Sequence, residues 1–202
     1  MTVATFRAAL SSRLGEVLTP ELAAWLEAHA FDHYDRSYAP AQFAPKTYRG
    51  LTFQVERFAD VESEIHGLHE EHYRETEGHR HGLTMNPNYE AFKASERAGG
   101  LIQFTARCDG VLVGNIRMYV YRSLHTQTLA AKEDTFFLKP AHRQGFAAIR
   151  FWQYMECALQ QIGVLEITTD SKLVNQVGRL NEYLGYKHVA NQFHKYLTPK
   201  GD

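Results

Sequence analysis

The pattern of hydrophobic and polar positions changes near residue 50. Apolar residues recur every four positions at the start of the chain, at Phe6, Leu10, Leu14 and Leu18. This spacing predicts an amphipathic helix over residues 1–18. Thr19 and Pro20 are typical of the N-cap and the first position of a second helix. Residues 32–50 contain prolines and aromatic residues without a period, which predicts an extended linker.

From Leu51 onward the pattern predicts strands and helices in the order β, α, α, β, β, β, α, β, α, β. The first strand, at 51–58, is followed by a helix capped by Asp60 that ends near Glu77, and by a helix with Asn86 as N-cap and Pro87 as its first residue. A hairpin of strands 101–107 and 111–121 turns at Cys108-Asp109-Gly110, and a further strand covers 133–140. The remaining elements are a helix with an apolar stripe from Ala148 to Ile162, a strand at 164–170, a helix at 175–185 and a strand at 186–197. This order favours an α/β fold with a mixed sheet and helices on both faces. We therefore predict a helical extension at residues 1–50 and one domain at residues 51–202.

The composition narrows the class of protein. The 202 residues include 22 basic and 23 acidic side chains, a balance that argues against a dedicated nucleic-acid binder. No segment has the roughly 20 apolar residues that a membrane span needs. Cys108 and Cys157 form no CxxC pair, which predicts two buried thiols in a reducing compartment. We expect a cytoplasmic protein. An N-terminal transit peptide is the alternative, because such peptides are rich in arginine and serine and the first helix contains Arg7, Arg13 and two serines.

The loop between Pro140 and the long helix has the composition of an anion site. Unpaired amide groups at a helix N-terminus carry a partial positive charge, and small residues let a phosphate approach the backbone. Arg143, Gly145, Ala147 and Ala148 supply this composition. An ordinary strand-to-helix turn is the alternative, because glycine-containing loops are common.

Residues 51–197 resemble the GNAT superfamily of N-acetyltransferases. In that family a strand leads into a loop of the type R/Q-x-x-G-x-G/A, and R-Q-G-F-A-A occupies this place here. One alignment puts Gly145 on the fourth position and His142 on the first; the other puts Arg143 first. The second is preferred, since P-A-H-R from Pro140 then matches the family's P-x-[YH]-R lead-in.

The C-terminal part continues the resemblance. Asn175, Leu180 and the run Leu184-Gly185-Tyr186 resemble the N…LGY/F ending of the family. The run from Asp60 to Leu197 also resembles a subgroup common in bacteriophages and prophages. Its further matches are Leu124-His125, Glu133-Asp134, Pro140-Ala-His-Arg143 and Gly178-Arg179-Leu180.

The resemblance implies acetyl-CoA, or another acyl-CoA, as co-substrate, with no metal. It implies that the backbone of one strand pairs with the pantetheine arm, at Phe136, Phe137 and Leu138. It implies that loop amides hold the pyrophosphate, at Arg143, Gln144, Gly145, Phe146, Ala147 and Ala148. Asn175 is implied as a hydrogen-bond partner of pantetheine.

Two adjacent carboxylates are the candidates for a catalytic base, because an amine must lose a proton before or during attack on a thioester. Glu133 and Asp134 open the strand that, by resemblance, lies under the thioester. Neighbouring strand residues point to opposite faces, so we expect only one of them to face the pocket. Two surface carboxylates at a strand entrance are the alternative.

The residue that would protonate the leaving thiolate is left open. Many members of the family carry a tyrosine four residues before the LG[FY] glycine, where this chain has Asn181. Tyr183 is about 200° from Asn181 around a helix and does not replace it, since a residue turns by about 100°. Tyr186 is the other tyrosine nearby.

Four residues are candidates for binding the acceptor: His72, Tyr73, Tyr119 and His125. Core packing is the alternative for Tyr119 and a solvated loop position for His125. His66, His69 and His72 lie three residues apart, with His79 and His81 beyond them. We expect no zinc there, because neither cysteine ligands nor an HExxH pattern accompany them.

These observations predict a GNAT-like acyltransferase that moves an acetyl group from CoA to an amine by direct attack in a ternary complex. The alternative is a protein that keeps the fold and acts by contact alone, for instance a phage accessory protein. The acceptor stays open. Residues 1–50 either cover a partner in a homodimer or wrap their own domain.

Overall fold

The computed structural model describes residues 10–23, 25, 37–77, 83–174 and 177–195. In the N-terminal part, Oγ1 of Thr19 accepts a hydrogen bond of 3.2 Å from the amide of Leu22. This contact and the helical conformation from Pro20 onward confirm the predicted cap. The first predicted helix ends earlier than expected, because residues 16–19 are not helical and Leu18 is 69% exposed.

The described residues form one six-stranded sheet whose strands are neighbours in chain order. The strands are β1 (Lys46–Tyr48), β2 (Leu51–Val55), β3 (Leu101–Cys108), β4 (Val111–Arg122), β5 (Leu129–Leu138) and β6 (Glu166–Thr168). Strands β1 to β5 pair antiparallel, and β6 pairs parallel with β5. The predicted mixed α/β sheet is confirmed.

Helices cover both faces of this sheet, as predicted. They are α1 (Phe58–Thr76), α2 (Tyr89–Arg97), α3 (Ala147–Gln161) and α4 (Val177–Tyr183), with short 3-10 turns at Pro40–Gln42 and Pro140–His142. The α3 stripe of Trp152, Met155 and Leu159 is buried in the larger core cluster on one face. Helices α1 and α2 form the second cluster around Phe58 and Ile65 on the other face.

The N-termini of α1 and α2 differ from the predictions. Helix α1 begins two residues before Asp60, and its N-cap, Arg57, makes no capping bond with its side chain. Instead, Oε1 of the buried Glu96 on α2 accepts a hydrogen bond of 2.7 Å from the amide of Phe58. Helix α2 begins after Asn88, whose Oδ1 accepts from the amide of Ala91, so the prediction of Asn86 as N-cap was wrong.

Three strand predictions also need correction. β1 and the buried Phe43 lie in the segment predicted as a linker. β5 begins at Leu129, four residues before the predicted start. Residues 186–195 contain no strand, because their apolar residues Val189 and Phe193 are four positions apart and a half-buried strand needs a spacing of two. The domain boundary at residue 50 remains a prediction.

The β3–β4 hairpin is confirmed, and its turn explains its sequence. Asp109 and Gly110 both have positive φ, 49° and 81°, as the two central residues of a type I′ turn require. Cys157 is exposed on α3 and Cys108 is half-buried, so the prediction of two buried thiols was wrong. No helix in the described part of the chain is long and apolar enough to cross a membrane.

Candidate functional site

Strands β5 and β6 separate after only three paired residues. Their pairing ends at Lys132 and Thr168. Residues 133–138 of β5 continue beyond that point, and no described strand pairs with them on the β6 side. The two strands therefore enclose a wedge, and this edge of β5 has no strand partner beyond Lys132, although the carbonyl oxygen of Leu138 accepts a hydrogen bond from Nε of Arg143.

A β-bulge in β5 lies at the base of this wedge. Arg117 of β4 is opposite Thr135 and Met118 is opposite Glu133, so Asp134 is an extra residue without a partner on β4. A bulge interrupts the alternation of side chains between the two faces. Glu133 and Asp134 both line the cavity for this reason, and the expectation that only one of them would face it was wrong.

The cavity beside the wedge has a volume of about 270 Å³. It lies between α1, the segment before α2, the bulge of β5 and the segment after β6. Its lining residues are His69, His72, Tyr73, Thr76, Glu77, Met85, Pro87, Phe92, Arg117, Glu133, Asp134, Thr135, Phe136, Asp170, Lys172 and Val177. The cavity wall contains aromatic side chains, carboxylates and basic side chains.

Glu133 has one carboxylate oxygen bound and the other open. Its Oε2 accepts hydrogen bonds from Oγ1 of Thr169, at 2.7 Å, and from the amide of Asp170, at 3.4 Å. No described residue donates to Oε1. Burial raises the pKa of Glu133 to about 7 against the effect of these two bonds, and the nearby charges of Asp170 and Asp134 raise it further. This carboxyl group can exchange a proton near neutral pH.

Asp134 is held in an ion pair. Nε and Nη2 of Arg117 lie 2.7 Å from its Oδ2. Arg117 is only 4% exposed, and its guanidinium stacks on the ring of Phe92 at 3.9 Å. Because the buried guanidinium neutralises Asp134, Glu133 is the better candidate for a base.

A chain of hydrogen bonds leads from Arg117 to the surface of α1. Nη1 of Arg117 donates to Nε2 of His69 at 3.1 Å, so His69 is neutral and carries its proton on Nδ1. Burial and the charge of Arg117 lower the pKa of His69 to about 3. Nδ1 donates to the hydroxyl of Tyr89 at 3.1 Å, which donates to Nδ1 of His66 at 3.0 Å. Nε2 of His66 lies 3.3 Å from Oε1 of Glu70.

Tyr89 thus connects His66 with His69, and His69 accepts from Arg117. No three metal-ligating side chains lie together among the residues that the structure describes. His79 and His81 lie outside those residues.

The loop before α3 leads into a helix without a side-chain N-cap, where the amide of Phe146 donates a long bond of 3.3 Å to the hydroxyl of Tyr48 and that of Ala147 donates to the carbonyl oxygen of Gln144 at 3.3 Å. Gly145 has a φ of 61°, a left-handed conformation that favours glycine. A Cβ at this position would lie 3.0 Å from Nη1 of Arg49 and 3.2 Å from the hydroxyl of Tyr48. Helix α3 begins at Ala147 without a side-chain cap and without an acidic residue in its first turn. The loop amides therefore face no competing carboxylate from the helix itself.

Arg143 is fixed against neighbouring elements. Its Nε donates to the carbonyl oxygen of Leu138 at 2.6 Å, and its two terminal nitrogens contact Glu75 of α1 at 3.0 and 2.7 Å. The guanidinium lies 5.3 Å from the ring centre of Phe137. Arg143 therefore ties the start of the loop to α1.

The remaining predicted residues divide between the cavity and other regions. His72, Tyr73 and Phe136 line the cavity. Phe137 and Leu138 are buried beside it, at 3% and 2% exposure. Tyr119 packs against the α1–α2 cluster, and His125 is exposed in the β4–β5 turn. Asn175 lies outside the described residues.

The tyrosines near Asn181 have different environments. Asn181 is buried, and its Oδ1 has no hydrogen-bond partner. Tyr183 is 68% exposed. The hydroxyl of Tyr186 accepts a bond of 2.9 Å from Nε1 of Trp152, and burial raises the pKa of Tyr186. None of the three lines the cavity.

Four residues of the site were missed from the sequence: Arg117, Thr169, Asp170 and Lys172. Arg117 could have been recognised, because it is a charged residue between Ile116 and Met118 in the middle of a largely apolar strand. The other three follow a short strand and have no distinctive pattern. Their importance comes from the parallel pairing of β6 with β5.

No family model and no curated protein matches the sequence. Solved structures match its fold. An aminoglycoside acetyltransferase from an uncultured soil metagenomic sample, in complex with trehalose, has a TM-score of 0.58 at 15% identity and covers 77% of this chain and 100% of its own. A ribosomal-protein-alanine N-acetyltransferase from Brucella melitensis has a TM-score of 0.57 at 17% identity. The match covers 75% of this chain and 99% of the acetyltransferase.

A third solved structure, a predicted acetyltransferase from Clostridium acetobutylicum with acetyl-CoA, has a TM-score of 0.56 at 8% identity. It covers 72% of this chain and 96% of its own. The mixed sheet with its flanking helices is the fold of the GNAT acetyltransferases.

Proposed function

We propose that this protein is an acyl-CoA-dependent N-acyltransferase that transfers an acetyl group to an amine by direct attack in a ternary complex. The observation that carries the proposal is the position of Glu133. It lies where β5 and β6 separate, with one carboxylate oxygen open and a pKa of about 7. A base poised near neutral pH at a strand junction suits deprotonation of an amine.

The free edge of β5 supports the assignment of the donor site. An extended pantetheine arm contains amide groups and can pair with the backbone of residues 136–138 as an added strand does, except at the carbonyl oxygen of Leu138, which already accepts from Arg143. The uncapped N-terminus of α3 suits the pyrophosphate, and the guanidinium of Arg49, which lies beside Gly145, adds a positive charge at this loop. A solved structure with this fold contains acetyl-CoA.

Glu133 and its neighbours then account for the chemistry. Oε1 accepts the proton of the incoming ammonium, while Thr169 and Asp170 hold Oε2 in place. The amine nitrogen then forms a bond to the acyl carbon, the carbon–sulfur bond breaks, and the nitrogen's surplus proton passes through water to the departing thiolate. Phe136 and Phe92 line the cavity and offer apolar surface beside the reacting groups.

Water is the acid that we infer for the departing thiolate. Asn181 has no acidic proton, Tyr183 points to solvent and the Tyr186 hydroxyl is engaged by Trp152. Tyr73 lines the cavity, but its hydroxyl donates to the carbonyl oxygen of Leu83 at 2.6 Å.

The membership of a phage-type subgroup rests on the sequence resemblance alone.

The second candidate is a protein that keeps the fold and acts by contact, and Asn181 favours it because the family's usual acid is replaced. Two measurements separate the candidates: calorimetric titration with acetyl-CoA, and thiol release from acetyl-CoA in the presence of a panel of amines. We expect binding, and amine-dependent release that falls by about 10²–10⁴-fold in Glu133→Gln with binding retained.

Binding without amine-dependent release would favour the contact protein. The absence of binding by the folded protein would contradict both the donor site and the proposed reaction.

A further inference from the structure

The carboxylates of the cavity are almost all neutralised. Four line it: Glu77, Glu133, Asp134 and Asp170. Asp134 pairs with Arg117 at 2.7 Å, Glu77 with Lys172 at 2.7 Å and Asp170 with Lys132 at 3.6 Å. Glu133 is the carboxylate without a basic partner among the residues described. An ionised Glu133 therefore leaves one uncompensated negative charge.

The rest of the wall adds no second site for a cation. Burial lowers the pKa of both His69 and His72, so neither imidazole is charged at neutral pH. Arg117 and Lys172 contribute positive charge to the lining. Phe92, Phe136 and Met85 offer apolar surface to the body of a ligand.

Resting on the proposed acyltransferase activity, we propose that the acceptor is a small amine with one positive charge and an apolar body, and that short polyamines are poor acceptors. The single unpaired carboxylate, Glu133, takes the reacting ammonium. A second ammonium inside the cavity of about 270 Å³ meets ion pairs that are already formed. Burying a charge without a partner is unfavourable, so it weakens binding.

A matched pair of acceptors tests this inference. n-Butylamine and 1,4-diaminobutane have the same carbon chain and differ by one ammonium group, and both are charged near neutral pH. We expect kcat/KM for acetylation of n-butylamine to exceed that of 1,4-diaminobutane by about tenfold, the factor that corresponds to 1.4 kcal/mol. This holds although the diamine offers two reactive ends.

A charge variant tests the cause. Lys132→Gln removes the basic partner of Asp170 and gives the cavity a second unpaired carboxylate. We expect the preference for n-butylamine to fall by at least about threefold, since Asp170 can then hold the second ammonium. Lys46→Gln is the charge-matched control: Lys46 lies in β1, at the opposite edge of the sheet, and its loss is expected to leave the ratio unchanged.

The outcomes separate the inference from the proposed function. Equal or faster turnover of 1,4-diaminobutane by the parent protein contradicts the charge argument, while acetyl transfer itself stands. An unchanged ratio in Lys132→Gln contradicts the role of ion pairing. Turnover of neither amine by a protein that acetylates other amines of the panel contradicts the inference alone, whereas turnover of no amine in the panel, with acetyl-CoA bound, contradicts the proposed function.

Discussion

The hydroxyl of Thr169 lies 2.7 Å from Oε2 of Glu133 and joins β5 to the β6 side immediately after the last backbone pair between the two strands. This side-chain bond takes the place of the next rung of the sheet. It holds Oε2 and leaves Oε1 open to the cavity. The orientation of the Glu133 carboxylate therefore depends on Thr169, which directly follows the neighbouring strand β6.

Thr169→Val should shift the pH dependence of the reaction. The hydrogen bond from Thr169 stabilises the charged form of Glu133, so its loss raises the pKa of Glu133 further above 7. The acidic limb of the kcat/KM profile then moves to higher pH, and activity at pH 6.5 falls by about threefold to tenfold. Thr169→Ser keeps the hydroxyl and should retain the parent profile. Identical profiles for valine and parent would remove Thr169 from this role.

Glu133→Gln should change how stability depends on pH. The pKa of Glu133 is about 7 in the folded protein and 4.5 ordinarily, so the folded state binds more protons between these values. Stability is therefore lost as pH rises from about 4.5 to about 7, by at most about 3 kcal/mol. Urea unfolding of the parent and the variant at pH 5 and pH 8 measures this. A loss that is equally large in the variant would assign it to other groups.

Arg117→Met should destabilise the fold. It leaves Asp134 without its ion pair and removes the donor to Nε2 of His69. Asp134 is partly exposed, so losing its hydrogen-bonded charged partner should cost about 1–3 kcal/mol in the free energy of unfolding, measurable in urea. Arg122→Met on the same strand removes an exposed side chain bonded to the carbonyl of Gln127 and should cost less than about 0.5 kcal/mol. Equal costs would mean that Arg117 is not specially placed.

Gly145→Ala should weaken acetyl-CoA binding. The added methyl group meets Arg49 and Tyr48, and the positive φ is unfavourable for alanine. We expect a loss on the order of tenfold in affinity by calorimetry. Gly163→Ala is the matched control, because Gly163 also has a positive φ but nothing within 4 Å of its Cβ position. If both variants bind as the parent does, the pyrophosphate does not lie at this loop.

The order of strands and helices could be predicted from the sequence because each long element carries its own periodicity. The stripe of α3 and the turn at Asp109-Gly110 are determined by neighbours in the chain. The cap of α1 could not be predicted in this way. Asp60 has the right residue type and lies near the start of the helix, but Glu96, 38 residues after Phe58, supplies the bond.

The site was predictable only in outline. Residue type and strand position identified Glu133 and Asp134 as a pair. The bulge turns both side chains toward the cavity. Arg117 then neutralises Asp134 and leaves Glu133 as the candidate base. Both features depend on the register between β4 and β5, and side-chain alternation within one strand contains no information about it.

The bond between Glu96 and the amide of Phe58 gives the molecule an internal reporter of motion. Glu96 lies on α2, the helix that also carries Phe92 of the cavity wall. The Phe58 amide exchanges with deuterium only when that bond opens, either by rotation of the Glu96 side chain or by movement of α2 away from α1. The exchange rate of this single proton therefore sets an upper limit on how often the acceptor wall opens in the absence of any ligand.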